Sequence, residues 1–303
     1  MTIDKRAHLD ARLAAAQAHY SGQYSLAARN LATGEEILVD ARRSYPTAST
    51  FKVPVMVDIF RQVDAGEIDL AERKALAETD ITPGSGVLRD LEPGINPTIH
   101  DLLMLMIIIS DNSATNMLID RAGGPAHITE TMRAQGYPSI EVVNKIDFDA
   151  MDGDNRKLAV SSPWDLMQLA ASIVSGTAAS ANSCEKMLHI MGRQHYLGQA
   201  PRYMGYNPYA DADEKVMTIH SKTGSLRGMR ANTGILRLSN GTDIAFATMN
   251  EGCTDTGFGS EYEGDIINGV IGWSVLDYWW PAELGPTPGG TSPYLDAALG
   301  DTR

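Results

Sequence analysis

The sequence predicts an α+β fold in which helices pack on a five-stranded antiparallel sheet and also form a mostly helical lobe. Strand-like segments occur at both ends of the chain, two near the N-terminus and three in succession after residue 215. The stretch between them carries helical periodicity instead. Because both ends contribute strands to one sheet, we expect a cleft between sheet and lobe, and that cleft is the natural place for a site.

The N-terminal region predicts one helix and a hairpin. Residues 4–20 place Leu9, Leu13 and further apolar side chains at helical spacing. Tyr24–Arg29 and Ile37–Val39 have strand composition, and the turn residues between them predict a hairpin.

The middle of the chain predicts a central helix and several others. Val53–Phe60 is apolar on nearly every side, which is typical of a buried helix, and Pro54 lies close enough to its start to be tolerated. Residues 136–162 are polar and irregular, so we expect a long loop there, and such loops are often functional. Further helices are predicted over 102–109, 114–121 and 163–175.

The C-terminal region predicts three strands, one helix and a tail. The strands are Val216–Thr223, Thr233–Leu238 and Ile244–Met249, the last two joined by a hairpin turn at Asn240-Gly241. A helix over Ile266–Trp280 precedes the tail. We therefore predict a single catalytic domain over residues 1–280, with an α/β part (1–50 and 190–280) and a helical lobe (51–189), and a Pro/Gly-rich tail over 281–303.

Composition excludes several classes of protein. The 303 residues are 43% apolar, which allows a sizeable core, and the formal net charge is -13. Nucleic acid and anionic membrane are therefore not expected as partners, because both require clustered Lys and Arg. The apolar run at 102–109 is also too short to cross a bilayer, which takes ~20 residues. The oligomeric state is left open.

Metal, disulfide and secretion signals are missing as well. Cys184 and Cys253 have no framework spacing, and His189 and His195 are six residues apart with no carboxylate to complete a ligand set. We predict no metal site and no cofactor. Residues 1–20 lack the apolar stretch of a signal peptide, so we expect a cytoplasmic protein.

Three short motifs carry the chemistry. They are Ser-x-x-Lys at 49–52, Ser-Asp-Asn at 110–112 and Lys-Thr-Gly at 222–224, in that order along the chain. Together they supply a nucleophile, an amine base, a proton shuttle and a cationic anchor, the parts needed for acyl transfer through a serine ester.

A second Ser-x-x-Lys match shows how weak one motif is alone. Ser183 and Lys186 have the same spacing, but no Ser-Asp-Asn follows them. We therefore interpret this second match as structural and the match at Ser49 as functional.

The first two motifs suggest specific roles. Lys52 lies one helical turn after Ser49, so if burial and Lys222 lower its pKa it can accept the Ser49 proton. The backbone N–H of Ser49 is one candidate oxyanion donor. Ser110 is suited to pass a proton to the leaving nitrogen, and Asn112 to bind an acylamide side chain.

The third motif suggests how a substrate is held. Lys222 and Thr223 are candidates to bind a substrate carboxylate, and Gly224 allows a close approach to the backbone. The N–H of Ser225 is the second candidate oxyanion donor. Arg227 and Arg230 are additional carboxylate candidates, with solvent-exposed charge as the alternative for each.

With these motifs in place, the chain resembles the superfamily of class A β-lactamases and penicillin-binding proteins. The resemblance extends over residues 22–280 and includes the extended motifs at 49–54 and 110–116, the helix end at 64–66 and the glycine pair at 123–124. It implies a β-lactamase-like fold, an acyl-enzyme on Ser49 and the roles just described.

One part of the class A pattern is absent. Those enzymes carry a Glu-x-x-x-Asn segment whose Glu activates the deacylating water, and residues 141–162 contain no such segment. Asp147 and Asp149 are the possible replacements, with a capping or solvated role as the alternative for both.

The sequence therefore favours a serine acyl hydrolase of class A β-lactamase type, acting on a carboxylate-bearing β-lactam, amide or ester. The alternative is a transacylase, D-peptidase or esterase in a cytoplasmic biosynthetic pathway, in which another nucleophile releases the acyl group. A non-catalytic binding protein on the same fold is the third hypothesis.

Overall fold

A computed structural model describes residues 4–211 and 215–293 of the chain. Its central feature is the five-stranded antiparallel sheet that the sequence predicts. The strands are β1 (Gln23–Asn30), β2 (Glu36–Val39), β6 (Met217–Leu226), β7 (Met229–Leu238) and β8 (Asp243–Glu251). Their order is β2-β1-β8-β7-β6, so the N-terminal hairpin pairs with the last strand of the chain, and β6 forms one edge.

Nine α-helices are present in the described residues, and most of them form the helical lobe. They are α1 (Lys5–Ala18), α2 (Lys52–Asp64), α3 (Ile99–Ile108), α4 (Asn112–Arg121), α5 (Pro125–Ala134), α6 (Phe148–Met151), α7 (Pro163–Val174), α8 (Ala181–Met191) and α9 (Glu263–Trp279). Helix α2 is buried from Lys52 to Phe60, as its apolar composition predicts. None of the helices in the described residues is long and apolar enough to cross a membrane.

Two hydrophobic cores lie on opposite faces of the sheet. On one face, Leu26, Phe246 and neighbouring side chains pack with α1 and α9. On the other, the small side chains of Ala27 and Ala247 allow α7 to pack closely, and the core continues into the helical lobe. Alternate residues of each strand thus serve different cores, as the pleat requires.

The region 136–162 is more ordered than the sequence suggests. It contains α6 and two short strands, β4 (Glu141–Val142) and β5 (Ala159–Ser161), which form a small second sheet with β3 (Tyr45–Pro46). Since β3 lies immediately before the first motif, this small sheet connects the loop to the nucleophile.

The first part of the C-terminal tail packs on the surface. Trp273 Nε1 donates a hydrogen bond to Pro288 O (3.0 Å), and the Gly290 N–H donates to Tyr203 O (2.9 Å). Residues 294–303 lie outside the described residues.

Candidate active site

Ser49 lies at the bottom of a cleft between the sheet and the helical lobe. It belongs to a 3-10 turn, Ala48–Phe51, that continues directly into α2. Ala48 has a φ of 43°, in the left-handed region that non-glycine residues seldom occupy. Such backbone strain persists where the surrounding structure fixes it, commonly at functional sites.

Lys52 is fully buried one turn after Ser49. Its Nζ lies 2.8 Å from Ser110 O, 3.0 Å from Ser110 Oγ and 2.9 Å from Asn112 Oδ1. Burial, and secondly repulsion from Lys222, hold the pKa of Lys52 well below its ordinary value. The first two motifs are therefore joined by a lysine that tends towards the neutral amine, the form that can accept a proton.

The Ser-Asp-Asn motif is held in a strained turn before α4. Ser110 has a φ of 58°. The Asp111 carboxylate caps α4 through Ala114 N (2.9 Å) and also accepts from the backbone N–H of Val87 (2.7 Å) and of Leu88 (2.9 Å). Asp111 thus ties the loop before α3 to the motif, and the same loop accepts a hydrogen bond from Asn112 Nδ2 through Pro83 O (2.8 Å).

The same loop contributes Ser85, which the sequence did not single out as a site residue. Its Oγ lies 2.6 Å from Ser110 O and 3.2 Å from Asn112 Oδ1. A Cβ at Gly84 would lie 2.5 Å from Asn112 Nδ2, and one at Gly86 2.3 Å from Asp111 Oδ2. Glycines are needed here because the loop packs directly on the motif.

Strand β6 brings the third motif against the nucleophile. Lys222 is fully buried, its Nζ donates to Thr223 O (2.8 Å), and burial lowers its pKa to about 7. A Cβ at Gly224 would lie 2.7 Å from Thr47 O and 2.9 Å from Ser49 N. Only a glycine at position 224 allows β6 to pass this close to the backbone of Ser49.

These residues border a cavity of about 680 Å³. Of the predicted site residues, Ser49, Ser110, Asn112, Thr223 and Ser225 line it. Lys52 and Lys222 are buried behind them. The structure therefore brings the three motifs together at one cavity of a size that suits a small molecule.

The two arginines expected to bind a carboxylate lie elsewhere. Arg227 is exposed outside the cavity lining. Arg230 is buried, stacks 3.5 Å from the centre of the Tyr262 ring, and donates to Asp265 Oδ1 (3.0 Å) and to three backbone carbonyls. Its guanidinium is thus engaged within the protein. The arginine that does line the cavity is Arg202.

Arg202 and three other cavity residues were not predicted from the sequence. Arg202 pairs with Glu261 through Nη2 (2.8 Å), while its Nη1 has no hydrogen-bond partner in the described part of the chain. Gln199, Tyr196 and Asp265 also line the cavity. All four lie in segments that carry no motif, and only the fold brings them to the cleft.

The loop side of the cavity is apolar. Ile146, Phe148 and Leu158 line it there. Asp147 and Asp149, the candidate deacylation bases, are exposed and absent from the lining, and Asp147 Oδ1 caps α6 by accepting from Asp149 N (3.1 Å) and Ala150 N (3.0 Å). The structure therefore places no aspartate of this loop at the cavity surface.

The second Ser-x-x-Lys match has a different environment. Ser183 is buried at the start of α8, where its hydroxyl donates to Asp64 Oδ1 (2.7 Å), and Lys186 is exposed. This serine therefore has a structural hydrogen bond, and its lysine is exposed, whereas Lys52 is buried.

Comparisons with known proteins point to one family. Residues 8–279 match the model of a family described as the beta-lactamase enzyme family. A β-lactamase of Rhodobacter capsulatus is 27% identical over 222 residues, 69% of this chain and 72% of that protein. The crystal structure of a β-lactamase from Sphaerobacter thermophilus is 30% identical, with a TM-score of 0.80, and covers 93% of this chain and 99% of its own.

A second solved structure is that of a PBP-A mutant in an acyl-enzyme complex with penicillin G. It is 28% identical, with a TM-score of 0.76, and covers 89% of this chain and 95% of its own.

Proposed function

This chain belongs to the beta-lactamase enzyme family, a family of serine hydrolases that act on small molecules, and from that premise we propose that it forms an ester between Ser49 and a carboxylate-bearing β-lactam, amide or ester. The observation that carries the proposal is the position of Lys52. Its Nζ lies within 3.0 Å of both Ser110 Oγ and Asn112 Oδ1, one turn from the proposed nucleophile, in a site where burial favours the neutral amine.

In the proposed reaction Ser49 Oγ attacks the substrate carbonyl carbon, and Lys52 takes its proton directly or through a water. The Lys52 ammonium then transfers a proton through Ser110 Oγ to the leaving nitrogen, or to the leaving oxygen of an ester. The C–N bond, or the C–O bond of an ester, breaks and the acyl group remains on Ser49. An amine or alcohol is released, whereas the amine of a β-lactam stays attached to the acyl group. The proton that leaves Ser49 thus ends on the leaving group.

The oxyanion of the tetrahedral intermediate would be held by the backbone N–H groups of Ser49 and Ser225. Ser225 opposes Arg230 in β7, and Arg230 donates its own N–H to Asn250 Oδ1 (3.1 Å). The Arg230 N–H is therefore not directed at β6, which indicates that Ser225 and Arg230 form a non-hydrogen-bonded pair of the antiparallel ladder. In such a pair the N–H of Ser225 points away from β7, which supports its placement towards the cleft.

We propose that Lys222, Thr223 and Arg202 bind the substrate carboxylate, with Arg202 in the role that the sequence suggested for Arg230. Arg202 lines the cavity and keeps one guanidinium nitrogen, Nη1, unpaired in the described structure, whereas all three guanidinium nitrogens of Arg230 donate hydrogen bonds within the protein. A planar guanidinium also matches a carboxylate better than an ammonium does.

Intact-mass measurement with benzylpenicillin tests this function. The wild-type protein is expected to gain the mass of one penicillin, and the Ser49→Ala variant none. Ser183→Ala is the matched control, because it alters the other Ser-x-x-Lys serine, and it should be acylated like the wild type. Absence of an adduct on the wild type with penicillin and with activated ester donors would overturn both enzyme hypotheses and leave the binding protein.

A second candidate, acyl transfer to an amine, is supported by the apolar loop side of the cavity. Ile146, Phe148 and Leu158 offer no base to a deacylating water there. If this candidate is correct, the adduct persists in buffer and disappears faster when D-alanine is added as acceptor. Steady release in buffer alone, unchanged by D-alanine, would support the class A hydrolase instead.

A further inference from the structure

Gln199 is buried between the cavity and the core and bonds directly to the strand that carries the third motif. It is 3% exposed. Its Nε2 lies 3.1 Å from Gly224 O and 3.2 Å from Ser225 Oγ. Both contacts are therefore made to the two residues that follow Thr223, the segment in which the second oxyanion donor is proposed.

This segment lies at one edge of the sheet. In the described sheet β6 is an edge strand, so β7 pairs with it on one side only. The opposite side borders the cleft, where the backbone groups of an edge strand have no ladder partner. The Gln199 amide adds a contact at this point by donating to the Gly224 carbonyl, which belongs to the same peptide group as the Ser225 N–H.

The conformation of Gln199 is itself fixed by a chain of buried amides. Its Oε1 accepts from Asn268 Nδ2 (3.1 Å), and Asn268 Oδ1 accepts from Thr248 Oγ1 and Asn250 Nδ2 (both 3.0 Å). Asn250 Oδ1 in turn accepts from Tyr20 OH (2.8 Å). Since Asn250 and Asn268 are fully buried, the chain links the cleft to α9, β8 and the residues after α1.

We propose that Gln199 is a positioning residue, which holds the Gly224–Ser225 backbone at the distance from Ser49 that stabilises the tetrahedral intermediate. The expected effects on acylation and on boronate binding rest on the proposed function, in which Ser49 is the nucleophile. Because an oxyanion donor acts only when it is already in place, a small displacement of Ser225 weakens binding of the tetrahedral state more than binding of the ground state.

The test compares tetrahedral and ground-state affinity in Gln199→Met, a substitution of similar size without hydrogen bonds. Phenylboronic acid, which forms a tetrahedral adduct with a nucleophilic serine, serves as the first probe. Its affinity and the rate of acylation by benzylpenicillin are expected to fall about 10- to 100-fold. In a Ser49→Ala background, non-covalent penicillin affinity should change by less than about threefold, since it reports the ground state.

Gln194→Met is the matched control. Gln194 is another buried glutamine of the same segment, and its Nε2 donates to Ile107 O (3.0 Å) and to Ser221 O (3.4 Å), which lies upstream on the same strand. Gln194→Met should lower the free energy of unfolding by about as much as Gln199→Met does. It should leave the affinity for phenylboronic acid nearly unchanged. If both variants lose boronate affinity equally, Gln199 has only a structural role and the proposal is overturned.

Hydrogen exchange separates failure of this inference from failure of the proposed function. In Gln199→Met, amides 223–227 should exchange faster while those of α2 keep the wild-type rate, whether or not Ser49 reacts. Unchanged exchange at 223–227 would refute the positioning role. A wild type that binds neither probe would refute the proposed function alone. If Gln199→Met does not fold, Gln199→Asn, which is too short to reach both contacts, serves in the same measurements.

Discussion

At the scale of single residues, the site is distinguished by two fully buried lysines, whose burial affects the stability of the fold. Lys52 and Lys222 are both buried, and the pKa of each is lowered chiefly by desolvation. Three hydrogen bonds partly offset the cost of burying Lys52. Lys222 makes only one, to Thr223 O. Neither has a carboxylate in direct contact among the described residues, so burying these two amines lowers the stability of the fold.

We predict that Lys222→Met stabilises the fold and that the gain depends on pH. The native pKa of Lys222 is about 7, below the ~10.4 of an exposed lysine. Between these two values the unfolded chain binds a proton that the native state lacks, so wild-type stability rises with pH through this window. The variant lacks this contribution, so its advantage should be about 1–3 kcal/mol near pH 6 and should shrink towards pH 10.

Denaturant unfolding at pH 6, 8 and 9.5 measures this difference. Lys186→Met, which removes the exposed lysine of the second Ser-x-x-Lys match, is the control and should change stability little at any pH. An advantage of Lys222→Met that grows with pH would contradict the prediction.

How far the site could be predicted differs from residue to residue. Residues whose roles depend on short spacing, such as Lys52 one turn after Ser49, follow from the sequence. Arg230 could not be placed, because its partner Asp265 lies 35 residues away on α9. Gln199 and Arg202 belong to no recognisable motif. Only the packing of their segment against other elements, chiefly α9, brings them to the cleft.

At the scale of secondary structure, the close contact of β6 with the turn before α2 sets the geometry of the site. We predict that Gly224→Ala slows acylation by penicillin about 10- to 100-fold. The added Cβ would meet Thr47 O and Ser49 N, both backbone atoms that cannot rotate away, so β6 must move.

Gly198→Ala is the control for this prediction, because Gly198 lines the same cavity and a Cβ there has no neighbour within 4 Å. Acylation rates followed by intact mass or stopped-flow fluorescence distinguish the two. Equal rates in both variants would show that the approach of β6 to Ser49 does not limit the reaction.

Elements with strong periodicity or turn signals could be predicted, and those defined by tertiary contacts could not. The three C-terminal strands were found, although β6 continues to Leu226 and β7 begins at Met229, beyond the predicted limits. Helix α5 was missed: it follows two glycines, and no side chain caps its start. Strands β3, β4 and β5 have only two or three residues each, too few to show alternation.

At the scale of the whole molecule, the residues that we propose for acylation and the loop that would have to supply a base for release lie in different regions. Strand β6 and the segments that lead into α2 and α4 contain the three motifs, and large hydrophobic cores pack on both faces of the sheet. On the loop side, the cavity is lined by Ile146, Phe148 and Leu158. This arrangement is consistent with the proposal that the chain forms an ester on Ser49, while the described residues of the loop place no carboxylate at the cavity surface.

Ile146 is the position of that region at which a base would have most effect. It is buried, lines the cavity, and is fixed by Asn116, whose Nδ2 donates to Ile146 O (2.9 Å) and whose Oδ1 accepts from Ile146 N (2.8 Å). A carboxylate at this position would lie at the surface of the cavity that Ser49 also lines. Because that site is apolar, burial would raise the pKa of the new carboxyl and bring it nearer the range useful for a general base.

We therefore predict that Ile146→Glu shortens the lifetime of the penicilloyl adduct at least tenfold and leaves the acylation rate within about threefold. The measurement is a mass-spectrometric time course after excess penicillin has been removed. Asp147→Asn and Asp149→Asn are the controls, and should leave the lifetime unchanged because both native side chains lie outside the cavity lining. If instead either asparagine variant prolongs the adduct, an aspartate of this loop is the deacylation base and reaches the cavity when the substrate is bound.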